Sequence, residues 1–269
     1  MTSRTPPGDL HEHSLLAVFA HPDDESLAAG GLLACCADLG ATVSLVCATR
    51  GEHGQGDGDL GAIRAGELRD ASRVLGINSP ELLAFEDGML PWVDGAMLQR
   101  DIYDAMRRSR PEVVVTFDAD GLYGHPDHVA IHERVTAAVA ALGDAAPALY
   151  YVTMPPGCMR AVVDHAATNV APTVAGRPTP AILGVGDPDA FGAMAAAPSL
   201  VLDVGPWAAR KLAALECHAS QMQDCALSTV SACDAARFLG TEHYRRAEVG
   251  SLGDAFIEHL TPTSSPLDA

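Results

Sequence analysis

The stretch Leu15-Leu16-Ala17-Val18-Phe19-Ala20-His21-Pro22-Asp23-Asp24-Glu25 decides the fold. Its first six residues form an apolar run bounded by polar ones, the pattern of a strand buried on both faces. Pro22 cannot continue a strand ladder, so the chain must turn there. A histidine and three acids therefore stand at the carboxyl end of a buried strand. The turn can aim His21 and Asp24, three residues apart, at one point. Acids so close together repel, and a divalent cation resolves the repulsion while fixing the imidazole.

Outward from this stretch, strands alternate with helices. Ser26 to Leu39 has helical composition and stops at Gly40, a natural helix end. Ala41–Thr49, Glu81–Phe85, Glu112–Asp118 and Ala148–Met154 read as further strands. Ile63–Gly76, Leu98–Arg110 and Val129–Leu142 read as the intervening helices. The alternation predicts an α/β protein with a Rossmann-like, doubly wound, mainly parallel sheet. Such sheets hold ligands beyond the carboxyl ends of their strands, where strand order reverses. Here that point falls between the first and fourth strands.

From Pro155 to Pro198 the pattern weakens into Pro, Gly and Ala, which reads as a loop-rich rim. Ser199–Val204 fits one more strand, Ala208–Gln223 a helix, and 261–269 a frayed tail. We read residues 1–269 as one domain with its core at about 15–246.

The 269 residues are 48% hydrophobic and only 5% aromatic, so the core must be mainly aliphatic. Acids outnumber bases 35 to 17, a formal charge of -18, which argues against nucleic acid and anionic membrane surfaces as partners. No apolar run reaches the length of a membrane span. The polar opening segment lacks the order of a secretory signal, so a cytoplasmic location is expected. The seven cysteines are scattered, without C-x-x-C, and read as small buried hydrophobes. A homo-oligomer is compatible with the sequence.

The fourth strand also ends in polar residues: Asp118, Asp120, Tyr123, His125, Asp127 and His128. His125-Pro126-Asp127-His128 is a second H-P-D turn leading into a helix. In a doubly wound sheet the two clusters face each other. One His and one Asp from the first, with one His from the second, make a three-ligand site with a position open for water, the catalytic arrangement of zinc. The same donors accept Fe2+ or another divalent ion.

AHPDDE, the later HPDH, and Lys211-Leu212-Ala213-Ala214-Leu215-Glu216-Cys217-His218-Ala219-Ser220-Gln221 together resemble the LmbE-like (PIG-L) family of zinc-dependent N-acetylglucosaminyl deacetylases. The resemblance spans most of the chain, about Leu15 to Arg246. It implies that His21, Asp24 and His128 bind zinc and that Asp23 is the general base. It implies that His125, as a charged or donor group, stabilises the oxyanion or assists the leaving amine, with Tyr123 polarising the carbonyl. It further implies that Arg64 and Asp87 bind substrate. His218 is expected to be a core or supporting histidine rather than a ligand. The expected activity is deacetylation of an N-acetylated amino sugar or glycoconjugate. The alternative on the same site is cleavage of a larger N-acyl or thiol-conjugate amide. A nucleotide-binding reading needs G-x-G-x-x-G where HPDDES stands. A non-catalytic metal or sugar-binding module would have no use for the candidate base.

Overall fold

The computed structural model describes residues 9–169 and 181–260. Seven strands form one sheet in the order β3-β2-β1-β4-β5-β7-β6. β1 (Ser14–Phe19), β2 (Thr42–Thr49), β3 (Glu81–Phe85), β4 (Val113–Phe117) and β5 (Ala148–Thr153) are mutually parallel. β7 (Thr241–Gly250) runs antiparallel between β5 and β6 (Leu200–Asp203). The order reverses at β1, whose Ala17 pairs with Leu45 of β2 on one side and Val115 of β4 on the other. The ends of β1 and β4 therefore lie side by side, as the strand alternation predicts.

Helices α1 (Asp24–Asp38), α2 (Leu60–Leu75) and α7 (Ala208–Cys217) pack together, as do α3 (Gly95–Ser109) and α5 (Pro126–Ala141). Val18, Phe19, Val114, Val115 and Leu149 are fully buried between these layers. Among the described residues, no helix is long and apolar enough to cross a membrane. The cysteines are free; four are buried, but Cys233 is exposed, against expectation.

The helices that follow β1, β2, β3 and β4 begin two or three residues before the predicted starts. Their first turns hold acids, Pro or Gly, which apolar periodicity does not register. Pro126 suits the opening turn of α5, where no backbone donor is needed. α7 ends at Cys217, not Gln223, because His218 leaves the helical conformation and turns its ring onto Glu25.

The stretch from Pro155 to Pro198 is not all loop. Cys158–Asn169 forms α6, a 12-residue helix. Its Val162, Val163 and Ala166 are buried. The expected tail at 261–269, residues 1–8 and the middle of the expected rim (170–180) lie outside the described residues. The alternation within TEHYRRAEVG, burying Glu242, Tyr244 and Ala247, marks β7, which polar composition concealed.

Two ion pairs, one buried and one partly buried, tie β7 to the rest. Glu242 accepts from Lys211 Nζ at 2.6 Å, from Tyr244 OH at 2.7 Å, and from the backbone N–H groups of Gly31 and Leu32 at 2.8 and 2.9 Å. α1 comes so close here that a Cβ at Gly31 would stand 2.4 Å from Val204. This contact explains Gly31 in mid-helix despite its cost of about 1 kcal/mol. A Cβ at Gly30 would stand 3.0 Å from the Lys211 stem.

Arg245 clamps Asp118, at the end of β4, with Nε at 2.8 Å and Nη2 at 2.5 Å. Burial alone would raise the Asp118 carboxyl, but the two Arg245 bonds outweigh it and hold the group below its usual range. A depressed carboxylate stabilises the fold above its unfolded pKa and loses that contribution as pH falls through the folded one. Arg245→Met should therefore cost roughly 1.5–3 kcal/mol at pH 7. The gap from wild type should narrow as pH falls through the raised Asp118 value of the variant and close as it passes the lowered value of wild type. Denaturant midpoints across this range check it, and a gap that stays constant to the acid limit would refute it.

Candidate active site

The first turn of α1 is built around a strained residue. Asp23 sits immediately before the helix with φ 116°, a left-handed conformation rare for a residue with a Cβ. Two contacts hold it. Its N–H donates to Glu25 Oε2 at 3.1 Å. Its carboxylate accepts from Arg64 Nη2 at 3.0 Å. Backbone strain over-determined by its surroundings concentrates at functional positions.

Across the sheet, β4 leads through α4 (Gly121–Gly124) into His125. Gly121, Leu122 and Gly124 all have positive φ, which folds the chain tightly enough to bring Tyr123, His125 and His128 to the end of β1. His128 is fully buried and stacks on Phe117 at 3.9 Å. His21, Asp23 and Asp24 are also buried.

The hydrogen bonds define the tautomers. His128 Nδ1 lies 3.1 Å from the Gly121 carbonyl, so it carries the proton and Nε2 keeps a lone pair. His21 Nε2 lies 3.0 Å from Asp87 Oδ1 and 3.2 Å from Asp127 Oδ2, so the proton is on Nε2 and Nδ1 keeps a lone pair. These two lone pairs stand 3.2 Å apart. Asp24 closes the triangle, Oδ1 at 3.2 Å from His128 Nε2 and Oδ2 at 3.3 Å from His21 Nδ1. Ligands held at about 2.0–2.2 Å around a tetrahedral ion stand about 3.3–3.6 Å apart, so the spacing and the N/N/O donor set fit one divalent cation.

Two other groupings involve His21: with His125 and His128, and with Asp87 and Asp127. The Asp87–Asp127 group is able to hold a metal ion, yet it surrounds the protonated Nε2 of His21. Asp127 is further engaged by the N–H groups of Gly88 at 2.8 Å and Leu90 at 3.1 Å. An outer carboxylate in this position would orient a histidine whose other ring nitrogen held a metal. His125 Nδ1 accepts from the Asp127 N–H at 3.2 Å, leaving its Nε2–H as a donor.

The charges follow. Burial raises the Asp23 carboxyl to about 6, with Arg64 opposing, which is a suitable value for a base working near neutrality. Burial, reinforced by His128 and His21, pushes His125 down to about 4. Of the charged and donor forms expected of His125, the neutral donor is the one favoured at pH 7. Burial raises the Tyr123 hydroxyl further above its usual range.

A cavity of about 260 Å³ opens over these groups. His21, Asp23, Asp24, Tyr123 and His125 line one side; Leu27, Ile182, Val185 and Phe191 form an apolar wall. Arg64 and Asp87, the residues expected to bind substrate, also border it, and both are hydrogen-bonded to other residues of the site. Arg64 donates to the carbonyls of Gly51 at 2.7 Å and Pro22 at 2.6 Å besides holding Asp23. Asp87 accepts from His21 and from the His53 N–H at 3.0 Å.

Sequence reading missed Asp127 and Glu25 as supports. The third position of H-P-D-H was the available signal for Asp127. Nothing local marks Glu25, which accepts from His218 Nε2 at 2.8 Å. The Lys211–Gln221 motif works as a staple. Lys211 binds Glu242, His218 binds Glu25, Ser220 binds Glu67, and Gln221 exchanges bonds with the backbone of Gln55.

A family model described as PIG-L, GlcNAc-PI de-N-acetylase, matches residues 16–139. A 1D-myo-inositol 2-acetamido-2-deoxy-alpha-D-glucopyranoside deacetylase of Salinispora arenicola (strain CNS-205) is 33% identical over 276 residues, covering 91% of this chain and 87% of that protein. Among solved structures, N,N'-diacetylchitobiose deacetylase from Pyrococcus horikoshii aligns with TM-score 0.59 and 21% identity, covering 87% of this chain and 83% of that one. GalB, a 4-carboxy-2-hydroxymuconate hydratase from Pseudomonas putida KT2440, aligns with TM-score 0.60 and 20% identity, covering 90% and 99%. The shared fold thus hosts more than one reaction. On the sequence match over nearly its whole length, this chain belongs to the PIG-L family.

Proposed function

We propose that this protein is a zinc-dependent amide hydrolase that removes the acetyl group from an N-acetylglucosamine-type glycoconjugate. The observation that carries the reading is the meeting of two imidazole lone pairs and one carboxylate beside a second, strained carboxylate. His21, Asp24 and His128 would hold the metal. When bound, the metal would supply Lewis-acid polarisation of the amide carbonyl and acidify water.

The residues act as follows. Asp23, kept in place by Glu25 and Arg64, accepts a proton from the attacking water. It returns that proton to the amine as the C–N bond breaks. The Nε2–H of His125 faces the cavity and donates to the carbonyl oxygen as negative charge develops. Tyr123, on the same loop, adds a second donor. Asp87 and Asp127 keep the His21 proton on Nε2 so that its lone pair faces inward. Arg64 and Asp87 reach the sugar only from the cavity wall. The Salinispora relative's name supports a glucosaminyl-inositol substrate.

Acetate release from 1D-myo-inositol 2-acetamido-2-deoxy-α-D-glucopyranoside, measured with metal content on the same sample, tests the activity. Asp23→Asn should keep its metal and lose about 10²–10⁴-fold in kcat. Asp24→Asn should lose the metal. The reverse pattern would exchange the two roles.

His125→Ala should lower kcat by roughly 10²–10³ with metal content unchanged. His125→Gln preserves an uncharged N–H donor and should retain more activity than the alanine variant. Equal loss in both would show that the reaction needs more from His125 than a neutral donor.

A further inference from the structure

We propose that His218 is a positioning residue for the proton transfer: through Glu25 it fixes the peptide group of Asp23 and so the aim of the Asp23 carboxylate. The inference rests on the reading of Asp23 as the base and extends it to a side chain outside the reacting groups. His218 is fully buried and stands outside the lining of the catalytic cavity. Its contacts nevertheless lead there in two steps. His218 Nε2 donates to Glu25 Oε1 at 2.8 Å, and Ser26 Oγ donates to the same oxygen. The other oxygen, Oε2, accepts the Asp23 N–H at 3.1 Å. His218 therefore sets the rotation of the Glu25 carboxylate, which sets where the Asp23 N–H points.

The same peptide group is gripped at its other end. Arg64 Nη2 donates to the Pro22 carbonyl at 2.6 Å, so the Pro22–Asp23 peptide is pinned at its oxygen by Arg64 and at its nitrogen by Glu25. With φ at 116°, Asp23 holds a conformation that persists only where the surroundings enforce it. A change of φ there rotates the Cα–Cβ bond and swings the carboxylate away from the point that the two imidazoles share. Two observations separate this role from packing. Elsewhere in the third motif, Lys211–Glu242 and Ser220–Glu67 join elements of the fold, whereas His218–Glu25 ends on the peptide of Asp23. In addition, His218 Nδ1 is buried without a hydrogen-bond partner among the described residues. An unpaired buried nitrogen costs stability, and a buried acid–imidazole pair adds little to it relative to apolar side chains of the same volume. The fold alone would be served by an aliphatic side chain at 218; the geometry at Asp23 would not.

The experiment measures kcat, KM and metal content on the glycoconjugate that wild type deacetylates. His218→Met keeps the volume and removes the donor. It should retain metal and KM and lose about 10–100-fold in kcat, the scale for an outer partner of a metal site. His218→Gln places an amide N–H near the position of Nε2 and should recover most of that loss. In the Asp23→Asn enzyme, His218→Met should leave the residual kcat within about twofold, because the side chain it positions no longer takes a proton. Ser220→Ala cuts a neighbouring bond of the same motif and should leave kcat near wild type. A metallated His218→Met enzyme with wild-type kcat would overturn the inference alone. Equal losses in the wild-type and Asp23→Asn backgrounds would do the same, as would a Ser220→Ala enzyme that loses as much as His218→Met. If His218→Met does not fold, His218→Gln in the two Asp23 backgrounds decides the matter at smaller amplitude. Wild-type kcat in metallated Asp23→Asn would overturn the reading of the base with it.

Discussion

Two imidazole lone pairs and a carboxylate, mutually 3.2–3.3 Å apart in a buried pocket, are the constraint on which the rest of the structure depends. Without positive charge at their centre, such donors face one another with nothing to share. The surroundings enforce the arrangement from outside. Asp87, Asp127 and the Gly121 carbonyl each take a ring proton on the far side. Every lone pair is thereby turned inward. Much of the polar chemistry outside the cavity can be understood as fixing tautomers and aiming atoms within it.

The parallel sheet makes this possible. Because strand order reverses at β1, two turns far apart in sequence leave adjacent strands and meet. Pro22 and Pro126 give both turns a similar exit, and the helices that follow begin with the acids at the site. The third motif contributes none of the converging donors. Through Lys211, His218, Ser220 and Gln221 it fastens β7, α1, α2 and the loop after β2 to one helix and its exit. Asp23 is held between Arg64 and a Glu25 that His218 braces.

The sheet was legible because buried parallel strands are continuous apolar runs, and Leu15–Ala20 or Val113–Phe117 have no other easy reading. His21, Asp24 and His128 could be singled out because they stand at the ends of such runs. β7 was hidden because six of its ten residues are polar and Tyr244, Ala247 and Val249 do not keep a strict alternation. The supports were hidden for another reason. His21 and Asp127 are 106 residues apart, His218 and Glu25 193, and no local pattern encodes a partner at that distance. The contacts of Arg64 with Asp23 and two backbone carbonyls were hidden in the same way, since they join α2 to turns 13, 41 and 42 residues away. The neutral state of His125 follows from two neighbouring imidazoles that only the folded chain brings together.

The left-handed backbone at Asp23 carries a consequence for how this protein can change. Glycine would adopt that conformation without strain, so the fold and the proposed chemistry favour different residues at the same position. Selection for stability alone would push the site toward glycine and inactivity. An active enzyme must therefore be maintained against a standing drift toward a sturdier, silent relative. Arg64 and Glu25 are the residues that keep the catalytic alternative folded.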